Sequence, residues 1–157
     1  MSITSTNERV VVTGDAAATR ALAARLAAAA RPGDLLCLMG ELGAGKTQFA
    51  KGFATGLGVD ATVNSPTFVL MSEYAGRLPL FHLDLYRIDD AADALAGGLL
   101  DERQLEGVAL VEWAERLGPA LPVARLDVVI GGTGDEPREI VLRTGDDGYR
   151  RYLEAAA

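Results

Sequence analysis

At 157 residues, nearly half of them hydrophobic, the chain is long enough for one domain with a real core and too apolar to be disordered. Its net charge of −7 excludes the basic footprint of a protein that grips nucleic acid by itself; Arg138, Arg143, Arg150 and Arg151 come nearest to a basic cluster, and acidic residues interrupt them. A lone cysteine, Cys37, rules out an intramolecular disulfide, and with a single histidine it argues against a structural zinc site. The N-terminal MSITSTNERVVV lacks a basic region followed by an apolar core, and no apolar stretch is long enough to span a bilayer, so a cytoplasmic protein without membrane contact is expected.

In chain order, Arg9 to Val12 is a short β-like run. Asp15 is a good N-cap for an Ala-rich helix over about 16–30, which Pro32-Gly33 ends. Asp34 leads into a buried strand from Leu35, and a small buried thiol is expected for Cys37 within it. Gly40-Glu41-Leu42-Gly43-Ala44-Gly45-Lys46-Thr47 then matches the P-loop pattern G-x-x-x-x-G-K-[ST]. The chemistry needs each part. The glycines let the backbone turn tightly with no side chain between it and a phosphate. Backbone N–H groups and the positive helix end face the anion. Lys46 supplies a point charge for the β- and γ-phosphates, and the Thr47 hydroxyl is a hard oxygen suited to Mg²⁺. The strand before the loop and the helical pattern after it, running to about Leu57 with Gly58 as its stop, supply the context the motif requires.

Val59 to Asn64 reads as a loop, followed by Ser65-Pro66-Thr67-Phe68. Val69 to Tyr74 and Leu78 to Tyr86 read as a hairpin about Ala75-Gly76-Arg77. Asp89 can cap a helix over about 90–96 that Gly97-Gly98 interrupts, and a short helical piece is expected near 100–105. Val108 to Val111 is a fully apolar strand that delivers Glu112 and Trp113 at its end; a helical turn over 113–117 is broken by Gly118-Pro119. Leu126 to Ile130 and Glu139 to Leu142 are two more strands around a Gly-rich loop, and Asp146 or Asp147 caps a last helix. The alternation predicts an α/β fold: a P-loop NTPase-like mixed sheet flanked by helices, with antiparallel hairpins.

A P-loop needs a second acid at the C-terminal end of a buried strand. Asp84 and Glu112 both qualify; either can hold Mg²⁺ or orient an attacking water. His82 stands two residues before Asp84 on the same strand face and reads as a structural histidine. Hydroxyls of Ser65-Pro66-Thr67-Phe68 could sense the γ-phosphate, but spacing alone favours an ordinary turn; Arg87 and Arg116 are transition-state cations or, more plainly, surface salt-bridge partners. Trp113 is a core residue, a nucleotide contact or a partner anchor.

GELGAGKT at 40–47, SPTF at 65–68, HLDLYR at 82–87 and VEWAERL at 111–117 together resemble the TsaE-type (YjeE-type) P-loop ATPases of bacterial tRNA threonylcarbamoyladenosine biosynthesis. The resemblance implies that ATP binds at Glu41, Leu42, Gly43, Ala44, Gly45 and Lys46, and that Thr47 and Glu112 hold Mg²⁺. It implies that Lys46, Asp84 and Glu112 serve hydrolysis, with Asp84 a second acid near the γ-phosphate, and that Thr67 matches a switch-like threonine. Further nucleotide contacts of the family fall near Ala16, Glu115 and Arg138. Gln48 departs from the threonine common at that position. The function implied is ATP hydrolysis supporting a TsaB–TsaD assembly that transfers threonylcarbamoyl to an adenosine of tRNA, with tRNA reached through the complex.

Two other functions fit a P-loop chain of this size. A small metabolite kinase would use Asp84 as base for an acceptor hydroxyl, but the Arg-rich lid of such kinases is not evident. A nucleotide-dependent binding module would use hydrolysis only to reset a contact. Because no arginine finger is readable, slow turnover by the lone chain and activation within a complex are expected.

Overall fold

The computed structural model describes residues 7–41, 43–63, 71–86 and 102–157. Among them, ten regular elements follow in order: β1 (Glu8–Thr13), α1 (Ala16–Ala27), β2 (Leu35–Met39), α2 (Lys46–Gly56), β3 (Met71–Tyr74), β4 (Leu80–Asp84), β5 (Val108–Glu112), β6 (Leu126–Gly131), β7 (Arg138–Arg143) and α3 (Arg150–Ala155). Short 3₁₀ segments at Glu102–Glu106, Ala114–Ala120 and Asp147–Tyr149 join them. The helix expected over 90–96, the Ser65–Phe68 stretch with Thr67, and Leu42 and Arg87 lie outside the described residues.

The seven strands form one mixed sheet in the order β1-β7-β6-β2-β5-β4-β3. The central β6, β2, β5 and β4 are parallel, while β1–β7, β6–β7 and β3–β4 pair antiparallel. Sequence pattern explains this division. LLCLM in β2 and VALVE in β5 are apolar almost throughout, as strands covered on both faces must be. REIVLR in β7 alternates, as suits a strand nearer the rim. The chain turns to opposite sides of β2, first toward β5 and then toward β6, and β2 carries the glycine loop at its C-terminal end. Ligand crevices of open α/β sheets lie at such a point.

One sheet face carries α1, α2 and α3 over Leu36, Leu38, Leu110, Val128 and Ile140. The other buries Leu35, Cys37, Phe81, Leu83 and Val111 beneath Ala114 and Leu117. Asp15 caps α1 as expected, accepting from the Ala18 N–H at 2.8 Å. The helix stops at Ala27, short of the predicted end near 30. Ala29 and Ala30 donate to carbonyls three residues back, at 2.9 and 3.1 Å, tightening the exit ahead of Pro32. The C-terminal helix is tied to the start of β2: Asp34 accepts from the Arg31 N–H, the Tyr152 hydroxyl and the Arg151 guanidinium.

α1 and α2 approach closely because Gly52 and Gly56 face α1. A Cβ at 52 would run into the Arg20 carbonyl, and one at 56 would lie 2.5 Å from the Ala24 carbonyl oxygen. Both obstacles are backbone, which cannot turn aside as a side chain can. Glycine costs a helix interior about 0.5–1 kcal/mol relative to alanine, so Gly52→Ala should stabilise an isolated helix. In the folded protein the overlap costs about 1–3 kcal/mol and wins. Gly52→Ala should therefore lower stability by about 1–2 kcal/mol in urea unfolding; a variant more stable than wild type would contradict this packing.

Candidate functional site

Gly40 to Gly45 connect β2 to α2. Gly40, Gly43 and Gly45 have φ of +150°, +83° and +112°, the left-handed region that favours glycine. Gly45 is the N-cap of α2, and no described side chain caps the helix, so its first-turn N–H groups are left to an external acceptor. Lys46 is only 5% exposed. Its ammonium donates to the carbonyls of Gly40 at 2.6 Å and Glu41 at 2.9 Å, and lies 4.0 Å from the centre of the Trp113 ring. Burial lowers its pKa, while the charges of Glu112, Glu115 and Asp84 push it back up.

The two candidate acids end side by side, because β4 and β5 are parallel neighbours with Asp84 opposite Glu112. Their environments differ. Glu112 is 2% exposed. Its Oε2 lies 2.5 Å from His82 Nε2, and the Thr47 hydroxyl donates to its Oε1 at 3.3 Å. Asp84 is half-buried and accepts the Tyr86 N–H at 2.9 Å, which ends β4 and turns Tyr86 toward the site. His82, fully buried, is satisfied at Nε2 by Glu112 and not by Asp84 on its own strand.

Trp113 is the one non-glycine residue with positive φ among those described, at φ 59°, ψ 38°. Its N–H donates to the Leu38 carbonyl at 3.1 Å, so the strained residue is held by the strand that carries the glycine loop. The ring packs on Tyr86 at 5.0 Å between centroids. Trp113 is half-buried: it packs against the core cluster beneath Ala114 and Leu117 and also lines a cavity, so it is not core filler alone.

Two of the cavities that border the glycine loop share Gly43, Gly45 and Gln48. One, of about 400 Å³, is walled by Lys46, Thr47, Asp84, Tyr86, Glu112 and Trp113. The other, of about 330 Å³, lies between Asp15, Ala16 and Thr19 at the start of α1 and Gly134 to Glu136 of the β6–β7 turn, with Arg138 on its wall. Arg138 braces the loop from outside, donating to the carbonyls of Ala44 at 2.8 Å, Gly43 at 3.3 Å and Gly134 at 3.0 Å.

The structure thus brings together Gly43, Ala44, Gly45, Lys46, Thr47, Asp84, Glu112 and Arg138. Glu41 contributes its carbonyl, its side chain being exposed. Glu115 is exposed, lines neither cavity, and reaches the site through its charge near Lys46. Tyr86 was not anticipated, although it lies within HLDLYR; neither was Thr19, whose small side chain gives no signal in a helical pattern.

The family model "Threonylcarbamoyl adenosine biosynthesis protein TsaE" matches residues 13–140, a span that contains every cavity-lining residue named above. The chain belongs to the TsaE family. It is 48% identical over 137 residues to the tRNA threonylcarbamoyladenosine biosynthesis protein TsaE of Bacillus subtilis, covering 87% of this chain and 85% of that one. It is 39% identical over 110 residues to the TsaE of Treponema pallidum, covering 70% and 82%. The crystal structure of Bacillus subtilis YdiB superposes with a TM-score of 0.79 at 39% identity, covering 98% of this chain and 97% of that one. The predicted P-loop-like α/β fold is thereby shown for this TsaE-family chain. No helix among the described residues is long and apolar enough to cross a membrane.

Cys37 lies in β2, two residues before the loop, yet on the sheet face away from Glu112. Burial, and then the charge of Asp127, push its pKa up to about 12. The thiolate is the nucleophile, so native protein at about pH 8 should resist an aromatic disulfide reagent, and unfolded protein should react with one thiol equivalent. Rapid labelling of folded protein would show that β2 opens.

Proposed function

We propose that this TsaE-family protein binds and hydrolyses ATP with Mg²⁺, and that hydrolysis supports threonylcarbamoyladenosine modification of tRNA through a TsaB–TsaD-like complex. The observation that carries the reading is the meeting of the Thr47 hydroxyl and the Glu112 carboxylate beside Lys46 in the cavity of the glycine loop. Magnesium takes hard oxygen ligands, keeps several waters and is commonly bound by one or two protein groups with substrate phosphates. One hydroxyl and one carboxylate fit that demand. Among the described residues no group of three or more His, Cys, Asp or Glu gathers as an all-protein metal cage would require. When bound, the metal would neutralise phosphate charge in the transition state.

This chain's own residues supply the rest. Lys46 and the loop N–H groups hold phosphate oxygens. The second cavity, between the start of α1 and the β6–β7 turn, suits the nucleoside, and Arg138 fixes the loop that divides the two spaces. Asp84, half-buried at the cavity wall, is placed to orient water. Among the described residues no arginine lines the larger cavity, and an arginine supplied by a partner would add the activating cation. The net charge of −7 leaves tRNA to the partner as well.

Lys46→Ala should abolish ATP turnover; normal activity in the folded variant would sink the phosphate assignment. Glu112→Ala should raise the Mg²⁺ concentration needed for turnover. Asp84→Ala should slow hydrolysis by about 10²-fold with nucleotide affinity largely retained, the scale of a positioned acid–base group. Turnover by the lone chain should be slow and should rise by about 10³-fold or more with TsaB–TsaD-like partners, if they supply the missing cation. Full activity alone, unchanged by partners, would contradict this.

A further inference from the structure

We propose that His82 is a positioning residue for the metal-binding carboxylate: it donates Nε2–H to Glu112 Oε2 from behind and leaves Oε1 turned toward Thr47 and the cavity. The inference rests on the Thr47–Glu112 metal reading above. It starts from an imbalance in the contacts of Glu112. The front contacts from Thr47 are long, 3.3 and 3.5 Å, whereas the rear contact to His82 is 2.5 Å. The carboxylate is therefore held chiefly by the histidine and only loosely by the threonine.

Topology makes the contact possible. His82 is opposite Leu110 in the β4–β5 register, and Glu112 lies two residues further along β5 on the same face. A diagonal neighbour at that separation is within reach of a long or ring-bearing side chain. Neither group touches water to any useful extent, with His82 at 0% and Glu112 at 2% exposure. A core filler would not be built this way. His82 Nδ1 is buried with no hydrogen-bond partner among the described residues, so the ring carries an unsatisfied polar atom that phenylalanine would avoid. What phenylalanine cannot do is donate to Glu112. Histidine–carboxylate contacts behind a metal ligand fix its orientation, and their loss commonly weakens metal binding by 10–100-fold.

The test uses the fact that His82 is the only histidine in the chain. Long-range ¹H–¹⁵N spectra of the tag-free protein should show a proton on the imidazole Nε2; a ring with Nε2 unprotonated, the Nδ1–H tautomer, would overturn the proposal without any variant. Mg²⁺ titrations of fluorescent-ATP binding should then show His82→Phe requiring about 10–100-fold more Mg²⁺ than wild type. Nucleotide affinity in EDTA should be unchanged, and His82→Gln, which keeps an N–H donor, should recover much of the loss. Equal Mg²⁺ midpoints for wild type and folded His82→Phe, or an equal loss with and without Mg²⁺, would overturn the positioning role. Wild type that binds nucleotide with no Mg²⁺ dependence would instead overturn the underlying metal reading. If His82→Phe fails to fold, the imidazole spectrum still decides, and His82→Leu, which also lacks a donor, takes its place in the Mg²⁺ titration with the same expected loss.

Discussion

A carboxylate taken out of water at the end of a β-strand is the constraint on which the site is built. The effective cost of burying such a charge is several kcal/mol unless partners restore what water gave. Glu112 receives three: the His82 ring from the adjacent strand, the Thr47 hydroxyl from α2, and the nearby charge of Lys46. His82 comes from β4, and Thr47 and Lys46 both come from the first turn of α2, so the carboxylate is satisfied only when β4, β5 and α2 are all in place. A one-residue slip of β4 against β5 would send His82 and Asp84 to the opposite sheet face and leave Glu112 without its shortest contact. The same register sets the two acids side by side with Glu112 buried against His82 and Thr47 and Asp84 half-buried at the cavity wall, an asymmetry two adjacent carboxylates need if they are to do different work.

The glycine loop is held from both sides. Inside, Lys46 gathers the carbonyls of Gly40 and Glu41; outside, Arg138 gathers those of Gly43 and Ala44. With carbonyl oxygens drawn toward these cations, N–H groups of the loop can face an anion, while that of Ala44 donates to the Glu41 carbonyl at 3.0 Å. Trp113 completes the wall in a left-handed conformation that costs on the order of 1–3 kcal/mol, held there by the Leu38 carbonyl and the Tyr86 ring. Strain of this kind persists where surrounding contacts over-determine it, and here they aim the ring under Lys46.

What the sequence made legible follows from how local each signal is. The loop from Gly40 to Thr47 is contiguous, so its glycines, lysine and threonine could be read with their roles. The helix cap at Asp15 depends on a neighbour three residues away and was equally readable, whereas at the other end Asp146 caps the 3₁₀ segment and not α3, whose N-cap Tyr149 offers no side-chain acceptor. Glu112 was visible as a strand-end acid, but its difference from Asp84 was not, because that rests on strand order and register. The donation of His82 to Glu112 crosses between strands and left no mark on either segment. Arg138 binds backbone carbonyls, which every residue has, so no side-chain pattern identified the loop as its partner. Gly52 and Gly56 read only as weak helix formers; the α1 backbone against them became visible once the helices were packed.

The two faces of the sheet consequently carry different obligations. The face with Cys37, Phe81 and Val111 meets the site through Trp113, which packs against it, and away from that contact substitutions of similar volume should be absorbed with little functional effect. On the helical face, packing and site geometry are one thing. α1 presses on α2 at Gly52 and Gly56, and its first turn, with Asp15, Ala16 and Thr19, walls the smaller cavity. α2 begins with Lys46 and Thr47 and places both over Glu112. A bulkier side chain between the helices cannot be accommodated by a shift of α1 alone without changing that cavity, nor by a shift of α2 without moving Thr47 from the carboxylate. Destabilisation and loss of function should be inseparable on this face and separable on the other.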